Sequence, residues 1–171
     1  YPRRIKMGVY AEIKGCDGQC PVKVEGMTNH IELLSFDFGV SKPYTAGGTG
    51  RSGGGGAAVA NDIGMVIDFE KSMPAIQTKM LNGEAIPKVT VKFTATINDK
   101  PNQVYLTYIF ENCHFTGFHL SGSGGDGAGH PDVNLTISYE TVETEYKHFN
   151  EKGAAQNVPA AKFNVRTREK T

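Results

Sequence analysis

The chain has no excess charge of either sign: 18 basic and 18 acidic residues cancel over 171 positions. A neutral chain without a basic stripe argues against nucleic acid as a main partner. Long apolar runs are also missing. None approaches the roughly 18 residues that a membrane-spanning helix needs, so no membrane insertion is expected. The leading YPRRIKMGVYAEIKG is basic but lacks an apolar stretch of signal-peptide length. Any export is therefore expected to proceed without a cleaved signal peptide. Cysteine is scarce, with only Cys16, Cys20 and Cys113. CDGQC allows a turn joining the sulfurs of Cys16 and Cys20, or a plain turn with free thiols, which is the favoured reading. A metal site would need a second ligand pair at matching spacing, and the sequence has none.

Catalytic patterns are absent too. GTGRSG, Gly48 to Gly53, formally matches GxGxxG. A dinucleotide site needs a helix opening directly after that loop in a βαβ chain, whereas here more glycine and then strand-like sequence follow. No GK[ST] follows a glycine loop, and no serine sits in GxSxG. His114 and His119 have opposite parity and would face opposite sides of a regular strand, unless a bulge intervenes. His30, His130 and His148 read as surface or loop residues. Glu143 and Glu145 read as a solvated strand face. Neither an enzyme nor a cofactor is expected, which leaves binding or assembly.

What the chain does have is glycine, 21 residues of it. Seven fall between Gly47 and Gly56, in a segment from Ser41 to Ala60 that breaks all periodicity. Such a segment cannot build a core, and a loop of that length in a compact domain tends to be functional or disordered. Ser121 to Asp132 is a second glycine-rich loop.

The rest reads as strand, with one exception. Glu70 to Gly83 has helix signals: Ser72 as N-cap with an accepting hydroxyl, Pro74 in the first turn, and Met73, Ile76 and Met80 as an apolar stripe. Asn82-Gly83 supplies the stop. About ten residues is too short for an isolated helix, so it must lie on the β-structure. The first strand spans Met7 to Lys14, with Val9, Ala11 and Ile13 alternating. In His30 to Ser41, Leu34, Phe36 and Phe38 share one face. Asn61 to Glu70 presents Ile63, Met65, Ile67 and Phe69. Ile86 to Ile97 alternates most cleanly: Val89, Val91, Phe93, Ala95 and Ile97 oppose Lys88, Thr90, Lys92, Thr94 and Thr96. That polar face suits water or a polar subunit contact. Gln103 to Leu120 reads as a strand pair or one strand bent near Asn112 to His114. Val133 to Phe149 reads as one long strand, and Lys162 to Thr167 as a short terminal one. About seven alternating strands and one helix predict a mainly β, single-domain chain: an antiparallel barrel of two sheets, closed or nearly closed.

Taken in order, these segments resemble the Hcp (haemolysin-coregulated protein) family, the tube protein of type VI secretion systems. The resemblance runs from about Val9 to Thr167. HIELLSFDFGVS resembles the family's second-strand motif, and the glycine cluster stands where the family carries an extended loop. NDIGMVIDFEKSMP is similar to its Asp-Leu-x-Phe segment running into Lys-Ser-x-Pro, carried by Asp62, Ile63, Met65, Lys71, Ser72 and Pro74. VYLTYIFENCHFTGFHLSGSGGDG, VNLTISYETVETEY and KFNVRT follow its last strands. Met65 replaces a usual aromatic, and Phe163 and Val165 stand in a closing strand without its usual Trp.

The resemblance implies a barrel with a helix on one side and six copies in a head-to-tail ring. Rings stack into a hollow tube inside a contractile sheath, tipped by a spike, with small effectors in the lumen. It implies assembly in the bacterial cytoplasm and then release by type VI injection. A tail-tube protein of a phage or related contractile particle shares the fold and ring logic; a monomeric ligand-binding barrel or enzyme is the reading of another class. Within the tube reading, the loop carrying Ser41, Lys42, Pro43, Tyr44, Gly47, Gly48, Gly50, Arg51, Gly53, Gly54, Gly55 and Gly56 is expected to lie against the next ring.

Overall fold

The computed structural model describes residues 7–44 and 56–170. Among these residues, twelve strands and one helix follow in order: β1 (Gly8–Ile13), β2 (Ile31–Leu33), β3 (Ser35–Asp37), β4 (Val40–Ser41), β5 (Val59–Ala60), β6 (Ile63–Asp68), α1 (Met73–Leu81), β7 (Ile86–Ile97), β8 (Lys100–Ser121), β9 (Asp132–Ser138), β10 (Thr141–Phe149), β11 (Ala155–Asn164) and β12 (Glu169–Lys170). All pairings are antiparallel. The first sheet runs β12-β11-β10-β8-β7-β1-β2, and the second runs β3-β6-β9-β8.

Two corners join the sheets. β8 pairs with β7 and β10 up to Cys113, then with β9 from His114 onward. The turn falls at Asn112, whose φ of 52° bends a strand that would otherwise stay in one sheet. Of the two readings of Gln103 to Leu120, a strand pair or one bent strand, the second holds. The other corner is Leu34, between β2 and β3. Its N–H donates to Val66 O at 2.8 Å while its side chain turns out, 56% exposed. That corrects the placement of Leu34 beside Phe36 and Phe38. Among the described residues no unbroken ladder closes the barrel; at Leu34 the chain itself bridges the sheets.

The expected single strand Val133 to Phe149 is two. β9 belongs to the second sheet and β10 to the first, with the switch at Tyr139-Glu140. The strand expected over Lys162 to Thr167 is displaced: β11 begins at Ala155 and ends at Asn164, and a short β12 follows. Residues 155–161 are exposed, so no alternation marked them.

Ile13, Ile31, Ile63, Met65, Ile67, Val89, Val91, Phe110, Leu135 and Ile137 fill the space between the sheets. The outer face of β1 and β7 carries a second, smaller cluster of Tyr10, Val24, Met27 and Val104. Residues 14–30 lie over it, so the polar face of Ile86 to Ile97 is not all open to water or a neighbour. Thr94 is 1% exposed, and Lys92 Nζ donates to Glu25 O at 2.6 Å.

Met73 and Ile76 of α1 are fully buried, and Met80 packs at the margin of the main core. Pro74 occupies the first turn. Ser72 departs from the expected cap. It takes helical angles, accepts no bond from the first turn, and donates its hydroxyl to Glu70 Oε1. Its carbonyl receives Ile76 N–H at 3.1 Å, so the backbone alone opens the helix. Gly83, at φ 65°, ends it. Gly83 N–H donates to Met80 O at 3.1 Å and Glu84 N–H to Lys79 O at 2.9 Å, the Schellman pair. An ion pair from Lys79 Nζ to Glu84 Oε2, 3.0 Å, stands where an apolar contact is usual.

Candidate assembly surfaces

The glycine-rich segment leaves the barrel on a structured stem. Val40 pairs with Ala60 and Ser41 with Val59, and Gly56 N–H donates to Pro43 O at 2.8 Å. The complete break expected from Ser41 to Ala60 is thus corrected at its two ends. Gly47, Gly48, Gly50, Arg51, Gly53, Gly54 and Gly55 lie outside the described residues.

Aromatic packing fixes the root of the stem. Phe36 and Phe38 have equal parity and both point inward. Phe38 meets Tyr108 at 5.1 Å and Phe110 at 5.8 Å between centroids, and Phe36 meets Phe93 at 5.7 Å. Such pairs add about 0.5–1.5 kcal/mol each beyond burial. Above this root the stem is greasy and open: Val40 is 61%, Val59 51% and Tyr44 75% exposed. An apolar groove of about 400 Å³ runs beside it, between Phe38, Val40 and Ala58 on one side and Val142, Ala161 and Phe163 on the other. A two-stranded ribbon does not hold such surface exposed for its own stability.

The opposite end of the second sheet is acidic. Glu32, Asp68 and Glu70 line a recess of about 450 Å³ together with Leu34 and Phe69. Phe69, expected on the inner face, is 39% exposed because the chain leaves the sheet after Asp68. A neighbouring recess shares Asp68 and His130 and adds Asp132.

The three cysteines are free. Burial pushes the Cys16 thiol up to about 11 and the Cys113 thiol up to about 12, so neither forms a thiolate readily. A bulge between Phe115 and Gly117 puts His114 opposite Ser138 and His119 opposite Asn134, so both histidines share one exposed face. His30, expected as a surface or loop residue, lies outside the strands but is only 4% exposed. Among the described residues no group of three or more His, Cys, Asp or Glu is placed to hold a metal ion.

The family model for the type VI secretion system effector Hcp matches residues 10–146. The chain belongs to the Hcp family. Hcp is a structural tube family rather than an enzyme family, and its members form homo-oligomeric tubes in type VI secretion. The fold matches solved Hcp structures closely in shape and distantly in sequence. A structure described as a type six secretion system protein aligns over 97% of this chain and 100% of its own, with a TM-score of 0.84 and 18% identity. Hcp1 from Salmonella typhimurium aligns over 96% and 99%, at 0.72 and 19%. A type VI secretion system effector from Yersinia pestis aligns over 92% and 99%, at 0.65 and 18%. Comparison with curated protein sequences finds no match.

Proposed function

We propose that this Hcp chain is a single-domain subunit of a secretion tube, assembling as six-membered rings that stack, with the glycine-rich loop lying against the next ring. The observation that carries the stacking role is the stem. It is ordered at its root by Phe36 and Phe38, yet leaves Val40, Val59 and Tyr44 open. Burial of those side chains against a neighbour stabilises the stack by removing apolar surface from water, and helps offset the entropy of ordering a glycine-rich segment.

In this reading assembly precedes release. The tube forms in the cytoplasm, is enclosed by a contractile sheath and capped by a spike, and carries small effectors in its lumen. No catalytic step is assigned to the chain.

The test is native mass together with negative-stain imaging of purified protein, with and without Gly47 to Gly56. Wild-type protein is expected as hexameric rings and hollow stacks; the deletion is expected to keep rings and lose stacks. A strict monomer at high concentration would overturn the ring reading, and deletion rings that stack normally would overturn the role of the loop.

A further inference from the structure

We propose that the acidic recess at the far end of the second sheet is the socket for the loop stem of a second copy of this chain, with Glu32 and Asp68 facing Lys42 and with Leu34 and Phe69 covering Tyr44. This rests on the tube reading and names the surface on which the loop docks.

The topology places the two surfaces apart. The stem leaves the sheet where Asp37 pairs with Gly64, one residue from the start of β6 at Ile63. The recess opens at the other end of β6, at Asp68 and Phe69. Five residue steps at about 3.3 Å each put the two ends roughly 17 Å apart along the strand. The Phe38–Tyr108 contact and the Val40–Ala60 pair hold the stem at the first end, so it does not enter the recess of its own copy. A projection at one end and a recess at the other form a heterologous pair, and repeating such a pair by translation generates an open stack.

The chemistries are complementary. From residue 40 to residue 60 the sequence has no acidic residue, and its only charges are Lys42 and Arg51. Three carboxylates and no lysine or arginine line the recess. Among the described residues, the side chains of Lys42, Glu32 and Asp68 make no hydrogen bond or ion pair of their own. Each surface also carries exposed apolar area: Tyr44 at 75% on the stem, Leu34 at 56% and Phe69 at 39% in the recess. Opposite charges set partner and register, while apolar contact supplies most of the affinity. Neutral overall charge then hides a segment from 40 to 60 whose charges are all positive and a recess lined by three carboxylates, which suits self-stacking.

Charge exchange tests the pairing. Lys42→Glu, and separately Glu32→Lys with Asp68→Lys, are expected to leave ring mass unchanged and to shorten stacks at least tenfold in negative stain. The three substitutions together are expected to restore stacking to within about threefold of wild type. All three positions are exposed, so the fold should tolerate them; Lys42→Gln and Glu32→Gln with Asp68→Asn provide milder versions and should shorten stacks less. Wild-type rings that stack while Lys42→Glu stacks equally well would overturn the socket and leave the tube reading standing. So would a triple variant whose rings stay unstacked. Wild-type protein that forms no rings would overturn both.

Discussion

Where β1 and β7 run, the first sheet is buried on both of its faces, and the two are buried differently. Its inner face meets the second sheet through alternate side chains of each strand, Ala11, Ile13, Ile31, Val89, Val91 and Phe110, all apolar. Its outer face is covered by residues 14–30, which hold Tyr10, Val24, Met27 and Val104 but also enclose His30. Strand periodicity builds the inner core, so it is continuous and redundant. The outer core depends on one irregular segment and a few bonds that pin it: Thr28 N–H to Glu12 Oε2 at 2.9 Å, Gly18 N–H to Asn29 O at 2.7 Å and Cys20 N–H to His30 O at 3.1 Å. Burial alone would raise the Glu12 pKa. The Thr28 N–H and the Lys14 ammonium outweigh it and hold this carboxylate below its ordinary range.

Breaking the inner core should have the largest effect. Phe110 is fully buried and lies 4.8 Å from Tyr139 and 6.0 Å from Tyr108 between ring centroids. Phe110→Ala should cost about 3–5 kcal/mol. Urea unfolding should show it as a drop in midpoint for the whole molecule. A comparable substitution that shifts only local probes would mean the inner core is not cooperative. Gly18→Ala should come next, at about 1–3 kcal/mol, because an added Cβ would collide with the backbone carbonyl of His30. Hydrogen exchange should rise first among residues 14–30, with β7 and β8 amides changed less. Equal loss across both regions would erase the proposed difference between the cores.

The same contrast explains what could be read from the sequence. Ile63, Met65, Ile67, Val89 and Val91 declare their face by alternation, and the family motifs around Phe36, Phe38 and Lys71-Ser72 fall on or beside β3 and in the turn into α1. Tyr10, Thr94 and His30 do not declare theirs. Their strand face is polar by pattern and is buried only because a segment without periodicity folds over it. Leu34 and Tyr139-Glu140 were equally hidden, since a chain that passes from one sheet to another keeps its composition while its parity changes. Of the assembly surfaces, the glycine-rich stretch was visible as a break in pattern. The acidic recess was not, because Glu32, Asp68 and Glu70 come together only through pairing of the second sheet and the turn into α1.

The smallest expected effect is the one that most directly separates the cores, and it is a pH effect. His30 lies edge-on to Tyr10, with centroids 5.3 Å apart and planes at 87°, and its two buried ring nitrogens make no well-aligned hydrogen bond among the described residues. Burial lowers its pKa, and this outweighs the Val22 backbone group beside the ring and the pull of Glu12 on β1, Glu32 on β2 and Glu70 before α1, each of which favours the cation. The unfolded chain takes up this proton near the ordinary histidine value of about 6.5, and the folded chain does so only at lower pH. The unfolded state therefore binds more protons just below that value. The stability from a neutral His30 is present above it and declines as the pH falls through it toward the folded pKa. Glu12, with its lowered carboxylate pKa, gives up its contribution in a separate window, from the ordinary carboxylate range downward. His30→Phe keeps an aromatic ring against Tyr10 and removes two nitrogens without a well-aligned bond, so it should be neutral or stabilising at pH 7.5. Thermal unfolding from pH 7.5 to 5.5 should show a falling Tm in wild type and a flatter profile in His30→Phe. Exchange at residues 14–30 should change more than exchange in β6 and β9. Parallel profiles for the two proteins would mean that His30 is as indifferent to protons as the all-apolar core beneath it.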